Sequence, residues 1–375
     1  MGQPGLHHIS ISQKKIISVF REDKEFSKDE IVIECNGTLA FPGLINFHDH
    51  LDFNLFPRLG NRVYKDYTEW GNDIHEQNKE MIDTVLKVPH SLRVRWGLYK
   101  SLLNGITTVI HHGKKLKIED DLVNVQQFSS LHSPRFEKKW KWKLNNPWQT
   151  SPVVMHIGEG TNGKAKGEID DVIKLNIFNK KIIAVHGVAM NQDQAENFKA
   201  LVWCPASNYF LFDQTAPIGR LLIKTKVVFG TDSTLTASWN IWEQLRLARQ
   251  QKMVTDQELF NMLTLVPAQV LRLDDKGTIA RNKTADMVLV RRNKEANEFE
   301  SFYAINPEDI LLVMKNGNIR LIDDSIAGSL ENKLEKEFDI ISVNGKRKYV
   351  LGPINRLTRD ILSYYPQAPI PFDIV

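Results

Sequence analysis

The chain is expected to fold as an α/β protein of the (β/α)8 TIM-barrel class, with one shortened unit and a small β-sandwich-like domain built from both chain ends. Three observations predict this. From residue 151 onward, short apolar runs alternate with amphipathic helical segments, the pattern of a parallel sheet covered by helices. Several of those runs end in histidine or carboxylate, and barrels of this class build their sites from the C-terminal ends of several strands. Before residue 41 and after residue 277 the pattern changes to short strands with Asn-Gly turns, which marks a separate β module. The expected division is residues 1–41 and 277–345 for the two halves of the small domain and 42–276 for the barrel. Residues 346–375 are expected to form a helix and an extended strap on the body.

Taken in order, residues 8–20 hold two β-rich pieces around a polar turn, and residues 31–40 another strand around Asn36-Gly37. FPGLINFHDHLDF (41–53) follows a Pro-Gly breaker and has the length and flanks of a buried strand. Residues 58–80 are polar and mixed, and suggest a loop with some helix over the mouth of a site. Leu92, Trp96, Tyr99 and Leu103 repeat at helical spacing, and Asn104-Gly105 is a helix stop. ITTVIHH (106–112) is a strand. LVNVQQF (122–128) reads as a strand, and EKKWKWKLNNPW (137–148) as an exposed-faced strand or an aromatic loop. Strands are then expected at 153–157, 181–186, 202–204 and 226–232. Helices are expected at 168–178, 193–201, 216–223, 238–251 and 255–272. The segment between Lys114 and Met155 is too short for two strand-helix units of roughly 30 residues each, so the third or fourth unit is trimmed.

Composition excludes several function classes. The 375 residues are 25% charged and 42% apolar, with a net charge of +4. This is an ordinary composition for a water-soluble protein. No lysine cluster is joined to a nucleic-acid module, so no nucleic-acid partner is expected. Cys35 and Cys204 are too few for a disulfide framework and read as buried thiols in a reducing compartment. The first residues carry no apolar core of signal-peptide length, and no run reaches about 18 apolar residues. A cytoplasmic location without a membrane partner is the expectation.

The chemistry gathers at the strand ends. In His48-Asp49-His50 the two imidazoles lie at i and i+2, so on an extended backbone both point to one side. An isolated pair of this kind is more often a surface feature. Here His156, His186 and Asp232 stand at the ends of later strands. Three histidines and one carboxylate suit a divalent cation, which makes His48, His50, His156 and Asp232 the candidate ligands. Zinc is the first expectation, with iron or manganese as alternatives. Such an ion makes water acidic enough to supply hydroxide near neutral pH. Glu159 lies between two glycines in HIGEG and is the candidate proton carrier, with a pKa raised by a closed pocket. His186 is free to hold a substrate heteroatom or steady the attacking oxygen. Asp232 can also accept the water's proton. His111 and His112 end the second barrel strand, and one of them could face the pocket. Lys114 and Lys115 read as solvated surface.

The chain resembles the amidohydrolase superfamily, in the branch of cytosine and guanine deaminases and triazine chlorohydrolases. The resemblance rests on PGLINFHDHLD (42–52), GITTVIHH (105–112), HIGE (156–159), AVHG (184–187), WCPASN (203–208), FGTDS (229–233) and a late TADMVLV. It implies one zinc or iron on the paired histidines, His156 and Asp232, with Glu159, His186 and Asp232 catalytic. It also implies that the stretch carrying Asn208 shapes the pocket wall. Asn208 and Ser233 join His111 and His112 as candidate substrate contacts. The expected reaction is hydrolysis of a non-peptide carbon–nitrogen bond in a small molecule, foremost deamination of a heterocycle or amidine. The alternatives are a cyclic amidase or chlorohydrolase at the same site, or a non-catalytic assembly protein on this fold. A homodimer is compatible with the resemblance.

Overall fold

The breaker pair Pro42-Gly43 ends one strand and lets the next begin in a different sheet. β3 (Thr38–Pro42) belongs to the small domain, and β4 (Leu44–Asp49) opens the barrel. The computed structural model describes residues 7–21, 30–293, 295–330, 334 and 336–375. Parallel to β4 run β5 (Ile106–His111) and β6 (Asn124–Gln127). A second parallel set holds β7 (Ser129–Leu131), β8 (Val153–Ile157), β9 (Ile182–His186), β10 (Ala200–Trp203) and β11 (Lys226–Phe229).

Only Phe128 separates β6 from β7. The first half of this continuous segment pairs with β5 and the second half with β8. One stretch therefore serves two strand positions, and this is where the barrel is shortened. The other seam lies between β11 and β4. It closes through single bonds: Asp232 N–H donates to the His48 carbonyl at 3.0 Å, and Ile45 N–H to the Leu263 carbonyl at 2.8 Å.

Side chains alternate about the barrel wall as strand geometry requires. Val154, Ile183, Val185, Val202 and Val228 share the inner core with Ile45, Phe47 and Ile110. Met155, Ile182, Ala184, Leu201 and Phe229 belong to the outer cluster under the helices. That cluster takes up α3 (His90–Leu103), whose buried face holds Trp96, Tyr99 and Leu103, and α9 (Ile241–Gln250) with Trp242 and Leu245. α1 (Tyr67–Gln77) begins against the turn after β8 at the barrel mouth, and α2 (Lys79–Leu86) follows it in the chain.

The small domain is a seven-stranded antiparallel sheet that joins both chain ends. β3 pairs with β12 (Met287–Arg291), then come β13 (Ile310–Lys315) and β14 (Asn318–Asp323). Beyond them lie β16 (Lys346–Leu351), β15 (Phe338–Val343) and the short β17 (Asp373–Ile374), so the last strap ends as a sheet edge. Asn316 and Gly317, at φ 51° and 74°, make the tight turn between β13 and β14. The hairpin of β1 (His8–Ser12) and β2 (Lys15–Phe20) packs Ile16 into this domain's core.

Three sequence expectations differ from the structure. Residues 31–35 form no strand; extension begins at Thr38, and Ile31 and Val32 remain exposed, because no neighbouring edge pairs with them. The Lys-Trp alternation at 140–144 is not a strand but α4 (Trp140–Leu144). Trp140 and Leu144, four apart, share its buried side, and over five residues this period coincides with alternation. The helix expected over 193–201 stops at Ala195 as α6 (Gln192–Ala195), because Ala200 and Leu201 pair with both β9 and β11.

Candidate metal centre

Ile45 and Phe47 face the barrel interior, so strict alternation would send His48 and His50 outward. The β4–β5 register slips between Asn46 and Asp49, which inserts one extra residue and reverses the facing. Both imidazoles then turn to the mouth, and Asp49 turns outward to Lys100 of α3 at 3.0 Å. His156 and His112 keep the inward parity of Val154 and Ile110. His186 and Asp232 end β9 and follow β11 in the left-handed region, at φ 72° and 56°. That conformation is uncommon outside glycine, and here it sets both side chains at the mouth.

The Nε2 atoms of His48 and His156 are 3.2 Å apart. Those of His48 and His50 each lie 3.7 Å from Asp232 Oδ1. The ligand atoms of His48, His50 and His156, and of His48, His186 and Asp232, form two trios sharing His48, each with its ligand atoms within 4.8 Å of one another. At bonds of about 2.0–2.1 Å a tetrahedral set of ligands has edges of about 3.3 Å. The His48–His156 separation of 3.2 Å matches that figure, and the two 3.7 Å separations to Asp232 lie a few tenths of an ångström above it.

Protonation favours a cation as well. Burial, then the neighbouring histidines, push the pKa of His48 and His156 well below the usual imidazole value, so both rings are neutral and offer lone pairs. Burial opposes the charge of Asp232, but His186, His50, the Ser207 hydroxyl and the Ser233 N–H outweigh it and hold the carboxyl below its ordinary range. Ser207 Oγ donates to Asp232 Oδ2 at 2.8 Å, and Ser233 N–H to Oδ1 at 2.8 Å. The donor set, its spacing and its charge state all fit a divalent ion.

The paired histidines rest on a buried polar layer. Asn46 Oδ1 accepts from Thr231 N–H at 3.0 Å, and its Nδ2 donates to Thr231 Oγ1 at 2.7 Å. Asp49 accepts from Asn54 Nδ2 at 2.8 Å. Lys100 Nζ, 1% exposed at its side chain, also reaches Asn54 Oδ1 at 2.8 Å. These bonds tie the first barrel strand to the last. Gly230 permits the approach, since a Cβ there would stand 2.7 Å from the Cβ of His48.

His186 is fixed from behind. Trp203 Nε1 and Asn208 Nδ2 both donate to Thr215 Oγ1, at 2.7 and 3.0 Å. The amide of Asn208 is thereby oriented so that its Oδ1 accepts from His186 Nδ1–H at 2.9 Å. The bare Nε2 of His186 then faces Glu159 at 3.6 Å. Glu159 is buried, and burial, with the Asp232, Glu168 and Asp66 carboxylates, raises its pKa well above the usual glutamate value. Its environment therefore favours the protonated form.

The turn carrying Glu159 is sewn to the start of α1. Tyr67 N–H donates to the Glu159 carbonyl at 3.2 Å, and Asp66 bridges to Gly160. A Cβ on Gly160 would meet Asp66 Cβ at 2.6 Å. Asp66 caps α1 and accepts from Asn162 at 2.6 Å and from Arg135 at 2.9 Å. Arg135 also meets Glu168 at 3.2 Å, and Glu168 in turn accepts from Gly158 N–H at 2.8 Å.

Of the other candidate residues, His112 lies in the site, its ring stacked on His156 at 4.4 Å. His111 turns away: its Nδ1 accepts from Leu51 N–H at 3.4 Å, and its Nε2–H donates to the Lys114 carbonyl at 3.1 Å. Asn208 and Ser233 hold His186 and Asp232 rather than facing open space. Sequence reasoning missed His132, which follows β7 and packs its ring 5.1 Å from that of His156. It also missed Lys100, Arg135 and Glu168. The signal for Lys100 was present, since it lies four residues from Trp96 on the apolar stripe of α3. Arg135 and Glu168 carried no comparable mark.

The chain is similar to several known proteins. Residues 151–320 match the amidohydrolase family model. A 5-methylthioadenosine/S-adenosylhomocysteine deaminase of Pyrococcus furiosus is 23% identical over 394 residues, covering 82% of this chain and 90% of that protein. A zinc-bound adenosine deaminase from Xanthomonas campestris superposes with a TM-score of 0.67 at 14% identity, over 96% of this chain and 93% of that one. The zinc complex of atrazine chlorohydrolase from Arthrobacter aurescens gives 0.67 at 16% identity, over 96% and 95%. At these identities the solved structures share the fold.

Proposed function

With residues 151–320 forming an amidohydrolase family domain, we propose that the chain is a metal-dependent aminohydrolase that deaminates an adenosine-type nucleoside modified at its 5′ position. The observation that carries the reading is Glu159, a buried carboxyl 3.6 Å from His186 and beside the histidine–aspartate cluster, with its pKa pushed upward by burial. The substrate class follows the Pyrococcus furiosus relative.

His48, His50, His156 and Asp232 would hold a divalent ion, zinc in the first instance, which would supply the Lewis acidity that makes water nucleophilic near neutral pH. Asp232, held ionised, accepts the proton of the attacking water. Glu159 delivers its proton to the ring nitrogen as the amine-bearing carbon becomes tetrahedral; Asp232 then passes the water's first proton to the amino group, which leaves as ammonia, and the remaining hydroxyl proton returns to Glu159 as the carbonyl forms. His186, with Nδ1–H held by Asn208, keeps its Nε2 toward the reacting oxygen. Glu159, His186 and Asp232 are buried, which limits the access of bulk water to the reacting atoms.

The test is ammonia release from 5′-methylthioadenosine, S-adenosylhomocysteine and adenosine, with atrazine as a chloride-releasing control, by protein of measured metal content. Ammonia from the modified nucleosides supports the assignment. Chloride from atrazine without ammonia from any nucleoside moves the site to halide hydrolysis. Silence on all four substrates in metal-replete protein removes the substrate assignment.

A further inference from the structure

The shortened unit leaves an apolar surface at the end of the barrel opposite the metal centre. Trp142 and Trp148 are 88% and 89% exposed, and Ile177 and Phe178 are 74% and 56% exposed. They are neighbours, because Asn145 ties the two turns together. Its Oδ1 accepts from Ile177 N–H at 3.0 Å, and its Nδ2 donates to the Leu175 carbonyl at 2.8 Å. Lys180 Nζ donates to the Gln149 carbonyl at 2.7 Å, which joins the patch to the start of β9. Isolated exposed apolar residues need no explanation, but a contiguous group including two nearly free tryptophans does.

The same end of the barrel is basic. Lys138, Lys139 and Lys141 flank the tryptophans. Lys181, Lys199 and Lys226 stand at or just before the first residues of β9, β10 and β11. The crowding is felt: burial first, then Lys181, Arg272 and Lys226, lower the pKa of Lys199. Two carboxylates answer this charge, Glu137 with Lys143 at 2.8 Å and Glu196 with Lys224 at 3.2 Å. Among the described residues, Lys138, Lys139, Lys141 and Lys181 have no carboxylate partner.

We propose that this face docks the protein onto an anionic lipid surface, with Trp142, Trp148, Ile177 and Phe178 seated among the headgroups and the surrounding lysines against lipid phosphates and carboxylates. Charge complementarity selects an anionic partner, and tryptophan beside lysine is the pairing that suits a membrane interface. The aliphatic Ile177 and the two turns favour bilayer over nucleic acid, whose bases would use only the rings. The six lysines and two tryptophans invoked belong to the end of the barrel where the strands begin, so a docked molecule keeps the opposite end facing solution. This inference does not depend on the deaminase assignment.

The experiment is co-sedimentation of the full chain with vesicles of phosphatidylcholine alone or mixed with phosphatidylserine, at low and raised salt. Binding to the mixed vesicles only, weakened by salt, is expected. The double substitution Trp142→Ala, Trp148→Ala should lower partitioning about tenfold or more while leaving metal content unchanged. Charge reversal of Lys138, Lys139 and Lys141 to Glu should lower it roughly fivefold per lysine. Equal binding by the tryptophan variant overturns the proposal. So does binding of a single-stranded oligonucleotide without vesicle binding. A concentration-dependent dimer in ultracentrifugation that the double variant abolishes, with no vesicle binding, likewise overturns it and assigns the face to a second copy.

Discussion

His48, His50 and His186 are site residues against their strand parity. Ile45 and Phe47 point inward, and so do Ile183 and Val185, so regular strands would aim these three imidazoles at the surrounding helices. A slip in the β4–β5 register corrects the first two and a left-handed backbone corrects the third. His156 and His112 need no correction. Parity thus explains why His112 is in the site and His111 outside it, a choice that residue type alone left open. In the proposed reaction, Glu159 is the proton carrier. Glu159→Gln keeps the size and the hydrogen-bonding surface but cannot give up a carboxyl proton. It is expected to lower kcat by about a hundred- to ten-thousandfold, with metal content by mass spectrometry unchanged. A variant that loses the metal too would mean that Glu159 is structural.

At the scale of elements, two contacts hold the site together. α3 presents Lys100 to Asp49 with both side chains sealed from water, at 1% and 0% exposure. Removing one partner of such a pair leaves a buried charge uncompensated, a loss of about 3–5 kcal/mol. Lys100→Met is therefore expected to lower the unfolding free energy by about that amount in denaturant titration, and to weaken metal retention, since Asp49 sits between the paired histidines. α1 is the second element. Its cap Asp66 also anchors Arg135 and the Glu159 turn. Asp66→Ala should cost about 1 kcal/mol as a lost cap and should lower kcat without changing metal content. An unchanged kcat would show that α1 and the proton carrier are independent.

For the whole molecule, a nest of neutral histidines makes folding sensitive to acid. Burial lowers the pKa of His48, His112 and His156 well below the usual value and brings His132 to about 4. Each group binds a proton more readily in the unfolded chain, so stability is full above about pH 6.5 and falls as pH drops through the folded values. The His132 contribution is about 3 kcal/mol between its ordinary pKa of 6.5 and about 4. Thermal melts of metal-free protein are expected to fall steadily from pH 7 to 4.5, and His132→Gln should flatten the slope by about one proton. A melting temperature independent of pH over that range would contradict the buried neutral cluster.

Much of this was readable before folding was considered. The alternation after residue 151 declared a barrel, because parallel strands joined by helices bury their outer face under those helices and their inner face against one another. The strand-end residues His48, His50, His156, His186, Glu159 and Asp232 could be picked out as a group, and the structure brings their side chains together. The missing length between Lys114 and Met155 declared a trimmed unit. What tertiary structure alone decided is how those residues meet. The register slip in β4, the left-handed turns at His186 and Asp232, the single segment spanning Asn124–Leu131 and the sealed Lys100–Asp49 pair all depend on partners far away in the chain. Their energies come from contacts that no local pattern encodes. Residue type and period set what each segment can offer, and the closing of the barrel sets which way it is turned.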